Sequence, residues 1–123
     1  MKSTIKLMLS SIIALTTLCS VSIVMAKADG HKAPSNKILK EGQKVYNNHC
    51  VVCHGSGVAG APKMGDNKAW QPRVKQGIGT LVKHVDKGYK FMPPKGTCVK
   101  CDKEQLKAAV EYMVTGSEKK AKS

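Results

Sequence analysis

The sequence predicts an all-α domain, and three observations carry that reading. Apolar residues recur at helical spacing in two capped segments, no run alternates long enough to make a strand, and the stretches between are rich in Gly and Pro. The first helix starts after Ser35, a good N-cap residue, with Ile38, Leu39, Val45 and Tyr46 on one stripe. Gly42 falls inside it. A helix-interior Gly costs about 1 kcal/mol against Ala, so its presence points to another backbone approaching closely there. Thr80 to Lys87, with Leu81, Val82 and Val85 before Gly88, reads as a short helix. The last helix is capped by Asp102, with Gln105 at the third position after it, then Leu106, Ala109, Val110 and Met113 on one stripe and Gly116 as the stop. Gly55 to Gly65 and Lys87 to Cys98 are expected to be irregular loops.

Such a domain is short of material for its own core. The chain has 123 residues and only five aromatics, Tyr46, Trp70, Tyr89, Phe91 and Tyr112. A single small domain of this kind needs a cofactor, a metal or disulfides to complete its stabilisation. Residues 1–26 read as a secretory signal: Lys2 and Lys6, then an apolar run to Ala26, with cleavage after Ala26 or Ala28. The alternative is an uncleaved anchor on the periplasmic face of the inner membrane, since the run from Leu7 to Ala26 is just long enough to span a bilayer. Lipid attachment at Cys19 is disfavoured by the bulky Leu18 before it. A polar leader, 27–35, precedes one domain, 36–116, and a basic tail, 117–123. Of the five cysteines, Cys19 leaves with the signal and four remain. Export to the periplasm excludes a cytosolic enzyme and permits disulfides.

The chemistry is concentrated in Cys50-Val51-Val52-Cys53-His54. A Cys-x-x-Cys-His run is the attachment signal for a covalent c-type haem. Two thiols three residues apart on a helical turn reach the two vinyl groups, and the adjacent His54 projects toward the iron. Two other readings compete. Cys50, Cys53, Cys98 and Cys101 could supply a four-thiolate zinc site, but 44 residues separate Cys53 from Cys98, well beyond the spacing of about 15–20 usual for such sites. A dithiol redox motif needs a βαβ setting, and no strand precedes Cys50. For the second axial position, Met92 stands in Phe91-Met92-Pro93-Pro94-Lys95-Gly96, where the prolines stiffen the backbone and can hold a thioether against a metal. Met64 remains the alternative, and Met113 belongs to the stripe of the last helix.

These residues resemble the class I cytochromes c of the bacterial cytochrome c5 type. Gly42 and Tyr46 before the Cys-Val-Val-Cys-His run, then Gly60-Ala61-Pro62-Lys63, Met92-Pro93-Pro94-Lys95-Gly96 and Cys98-Val99-Lys100-Cys101 carry the resemblance, which spans about Ile38 to Val114. It implies a class I cytochrome c fold, all helical and wrapped around one covalent haem, with the first and last helices crossing near Gly42 and Tyr112. It implies His54 and Met92 as axial ligands, Cys50 and Cys53 as thioether donors, and the Pro62 carbonyl as the acceptor that fixes the His54 tautomer. More loosely, it places Trp70 and Arg73 near a haem propionate. It also makes Cys98 and Cys101 a disulfide, closing a loop too short to remove much chain entropy, with redox activity as the rival reading.

With both axial positions filled, the expected function is one-electron transfer between respiratory-chain partners, such as a quinol-oxidising complex and a terminal oxidase or reductase, with no small-molecule substrate. A ligand-binding haem sensor, in which Met92 is displaced, is the alternative. The charge fits a carrier. The chain bears 21 Lys and Arg against 8 Asp and Glu, a net +13; without Lys2 and Lys6 the basic count falls to 19 and the net charge to +11. Lys63, Lys87, Lys90 and Lys95 are expected to border the haem and to steer acidic redox partners electrostatically. Solubility or membrane association is the rival use of the charge, and an exported chain meets no nucleic acid.

Overall fold

The computed structural model describes residues 32–120. Residues 1–26, read as an export signal and including Cys19, residues 27–31 of the expected leader and residues 121–123 of the expected tail lie outside the described residues. Helix α1 runs over Asn36–Val45 and continues through one widened π-turn, Tyr46–Cys50, into α2, Val51–Ser56. There follow α3, Asn67–Val74, α4, Ile78–Lys87, and α5, Lys103–Lys120, with short 3-10 turns at Val58–Gly60 and Pro94–Thr97. Among the described residues there is no strand, only an isolated bridge between Tyr89 and Met92. Nor is any of these helices long and apolar enough to cross a membrane.

The capping chemistry behaves as the side chains dictate. Ser35, in extended backbone, accepts a hydrogen bond from the Ile38 amide at 3.4 Å and opens α1. At the head of α5, the Gln105 amide donates to Asp102 Oδ1 at 2.8 Å while the Asp102 amide donates to Gln105 Oε1 at 3.2 Å, a reciprocal box. Two of the unpaired donors of a helix start are thereby satisfied.

These two helices cross at Gly42. A Cβ there would sit 2.6 Å from the Ala108 carbonyl carbon and 2.9 Å from Tyr112 Cβ, so only Gly admits the backbone of α5. Beside the crossing, the Tyr46 and Tyr112 rings meet at 5.5 Å, inclined by 54°. The stripe on α1 is narrower than its periodicity suggests: Gly42 and Val45 are buried, but Ile38 is exposed. The stripe of α5 holds throughout, with Leu106, Ala109, Val110 and Met113 each 2 % exposed. From α4, Leu81, Val82 and Val85 join the same core.

Two expectations are corrected. Gly116 does not stop α5, which runs on to Lys120. Its missing side chain serves close packing: a Cβ on Gly116 would overlap the Met64 methyl, and one residue on, buried Ser117 accepts a hydrogen bond from the Gly65 amide at 2.9 Å. The packed domain therefore extends past residue 116. Helix α3 has no counterpart in the sequence reading. Asp66 caps it by accepting from the Ala69 amide at 3.1 Å, and buried Trp70 anchors it; Pro72 inside it removes one donor from a two-turn helix.

Gly42→Ala tests the crossing because propensity and packing give opposite signs. Propensity alone stabilises by about 1 kcal/mol, whereas overpacking costs about 1–3 kcal/mol. The substitution is expected to lower the thermal midpoint of the holoprotein by several degrees, read by circular dichroism.

Candidate haem site

The run from α1 through the π-turn into α2 sets the positions of three side chains. Cys50 closes the π-turn and is buried, Cys53 is exposed one turn on, and His54 is buried on α2. Neither thiol is paired. Gly57 ends α2 at φ 83°, its amide donating to the Cys53 carbonyl at 2.8 Å, and the chain turns back over the helix.

That return makes His54 the fixed point of the site. Its Nδ1 lies 3.0 Å from the Pro62 carbonyl oxygen, and its own carbonyl accepts from the Met64 amide at 2.6 Å. Trp70 Nε1 donates to the Lys63 carbonyl at 2.9 Å, which brings the indole to 6.1 Å from the imidazole, centre to centre. A carbonyl partner requires the proton on Nδ1, which leaves the lone pair on Nε2. Burial lowers the His54 pKa from its ordinary value and the charge of Arg73 lowers it further, against the opposing effect of the Pro62 hydrogen bond. The ring is thus favoured neutral, the form that ligates a metal. Burial, reinforced by Cys53, pushes the Cys50 thiol up to about 11, so Cys50 is held as S–H rather than thiolate.

The remaining expected site residues arrive from other segments. Arg73, on the same face of α3 as Trp70, donates from Nη1 to the Ala69 carbonyl. Met92, half-buried, packs against the cluster that contains Cys50 and Trp70, and its backbone pairs with Tyr89 through bonds of 3.0 and 2.9 Å. Cys98 and Cys101 are joined to each other, Cα to Cα 5.4 Å. His49, which precedes Cys50, belongs with them: one of its ring nitrogens and the two sulfurs lie within 4.8 Å of one another. The four cysteines therefore divide into an unpaired pair and a bonded pair, and the four-thiolate alternative is not assembled.

The residues fit a covalent haem. Two free thiols stand three apart, one buried and one exposed, beside a buried neutral imidazole whose Nδ1 is already engaged. Over residues 38–113 the chain matches the family model described as cytochrome C oxidase, cbb3-type, subunit III. It is 42% identical over 76 residues to cytochrome c5 of Azotobacter vinelandii, covering 60% of this chain and 92% of that one. The chain belongs to the class I monohaem cytochromes c, in the cytochrome c5 family. The cytochrome is also similar to cytochrome c-555 of Chlorobaculum tepidum, 47% identical over 77 residues, 59% of this chain and 71% of that one. Among solved structures, it resembles the cytochrome c in an electron-transfer complex with nitrite reductase, at 48% identity and a TM-score of 0.61 over 63% of this chain and 94% of that one. A mono-haem ferrocytochrome c from Shewanella putrefaciens matches at 45% identity and a TM-score of 0.56, over 61% and 93%. The all-α fold is the cytochrome c fold, and the cytochrome is a small electron-transfer protein with one covalent haem c, not an enzyme.

The Trp70 to Lys63 bond was not legible from residue types, because its acceptor is a backbone carbonyl. Trp70→Phe keeps a buried aromatic ring, though a smaller one, and leaves that carbonyl without its partner. We expect a loss of about 1–3 kcal/mol, measured as a lower denaturant midpoint.

Proposed function

We propose that the cytochrome is a periplasmic one-electron carrier whose haem is held by Cys50 and Cys53 through thioethers, with His54 and Met92 as the axial iron ligands. The observation that supports it most is the His54 arrangement: a buried imidazole whose Nδ1 is committed to the Pro62 carbonyl has only Nε2 to offer a metal. When bound, the haem supplies the one-electron iron couple. Cys50 and Cys53 would fix it to the chain through thioethers. Pro62 orients the imidazole and makes it a stronger donor. Trp70, 6.1 Å from the imidazole centre to centre, would keep water from that side of the ring, and Arg73 would neutralise a haem propionate. Met92, on the stiff loop before α5, would supply the second iron ligand, and a thioether in that role would raise the potential relative to a second nitrogen ligand.

Export by residues 1–26 would deliver the cytochrome to the periplasm, the anchored form remaining the alternative. Its partners are redox proteins with acidic faces, the donor a quinol-oxidising complex and the acceptor a terminal oxidase or reductase. The relative solved with nitrite reductase supports protein partners of that kind. Exposed Lys63, Lys87 and Lys90, within a net charge of +11 once Lys2 and Lys6 are left out, give the field that would steer them.

Absorption spectra of the protein produced with a haem-maturation system test the ligation. A sharp reduced α-band, a weak red band of the oxidised protein and no carbon monoxide adduct are expected. Ready carbon monoxide binding would favour a sensor, and a colourless protein would remove the proposal. Steering has its own test. Oxidation of the reduced protein by ferricyanide, an anion, is expected to slow about tenfold or more between low ionic strength and about 0.5 M salt. A rate independent of salt would contradict it.

A further inference from the structure

Lys95 is placed unlike the other lysines of the surface. It is half-buried in the turn Pro94–Thr97, and its ammonium donates to the Cys101 carbonyl at 3.0 Å and the Val99 carbonyl at 3.4 Å. Its main chain is bound at the same time, the Lys95 carbonyl accepting from the Cys98 amide at 3.0 Å. Three consecutive residues have left-handed backbone: Lys95 at φ 58°, Gly96 at 57° and Thr97 at 71°. Two of these carry a Cβ, and such residues persist only where their surroundings over-determine them. Here the surroundings are the side-chain bonds of Lys95 and the bonded pair Cys98–Cys101, which together make 95–101 one closed knot.

Met92 leans on that knot. Its methyl lies over Gly96, where a Cβ would meet Cε at 3.4 Å, and the Pro93 carbonyl next to it accepts from the Gly96 amide at 3.0 Å. On its other side, Met92 is held by the two backbone bonds to Tyr89 and by close approach of its carbonyl to Gly88. We propose that Lys95 is the positioning residue of the Met92 thioether: it clamps the Met92 loop to the disulfide-closed segment, so that the sulfur is presented in one place rather than carried on a mobile loop. The inference rests on Met92 being the second axial ligand. The exposed lysines of the same region would act by charge; Lys95 acts through its hydrogen bonds.

The test measures how readily cyanide displaces the thioether in the oxidised holoprotein, followed by loss of the red thioether–iron band. Lys95→Met, nearly isosteric but without donors, is expected to accelerate displacement about tenfold or more while the thermal midpoint stays within a few degrees of wild type. Lys95→Arg, which keeps charge and donors, should return close to the wild-type rate, and Lys100→Met, which removes an exposed charge nearby, should leave it unchanged. If Lys95→Met does not accumulate as holoprotein, Lys95→Gln, with a donor but less reach, is read the same way. An unchanged rate in Lys95→Met, or an equal acceleration in Lys100→Met, overturns the clamp with the ligation intact. Absence of the band from the wild-type protein overturns the Met92 ligation itself, and the clamp with it.

Discussion

The close approach of α1 to α5 at Gly42 is the constraint on which the rest depends. A helix crossing that brings a backbone against the Ala108 carbonyl leaves no room for a side chain, and it fixes α1 in position and rotation. Because α1 continues without a break through the π-turn into α2, that rotation is passed on to Cys50, Cys53 and His54. π-Turns of this kind cluster at functional sites, and this one re-aims the chain within a single residue's insertion. The thiols and the imidazole are thus placed by rigid elements, which is what a covalent cofactor site requires.

Loops then finish what the helices begin. The return from Gly57 to Trp70 ties His54 at both its ring and its carbonyl, while α3 supplies the indole beside it. A second irregular segment, from Gly88 to Cys101, carries Met92 and is closed by its own bonded cysteines. Neither segment has the regular hydrogen bonding that would hold it in isolation. With five aromatics in the whole chain, of which only Tyr46 and Trp70 are buried, side chains alone make a thin centre for two such loops. A covalent haem is the large apolar body that the composition asks for.

Where local chemistry decides the outcome, the sequence was readable. Ser35 and the Asp102–Gln105 box are short-range devices, and both helices open where those residues stand. The haem motif is equally local. Gly42 and Gly116 teach the opposite lesson: both admit a close neighbour, yet one lies mid-stripe and its position implies a crossing, while the other lies near an end and its position implies a stop. Only the arrival of Met64 from a distant loop separates the two roles. Helix α3 was hidden by Pro72, and its stability comes from the burial of Trp70, a tertiary effect. The pairing of His54 with Pro62 and of Cys98 with Cys101 follows from the family resemblance, since spacing alone leaves other partners open. The reach of the Lys95 side chain across its own turn left no pattern in the residues at all.

The central claim is that the haem bonded to Cys50 and Cys53 completes the core of this domain. Thermal unfolding followed by far-ultraviolet circular dichroism tests it most directly, comparing the holoprotein with the same polypeptide produced without haem maturation. The account predicts one cooperative transition for the holoprotein and a shallow, non-cooperative change for the polypeptide alone. A haem-free chain that unfolds cooperatively at the holoprotein's midpoint would contradict it.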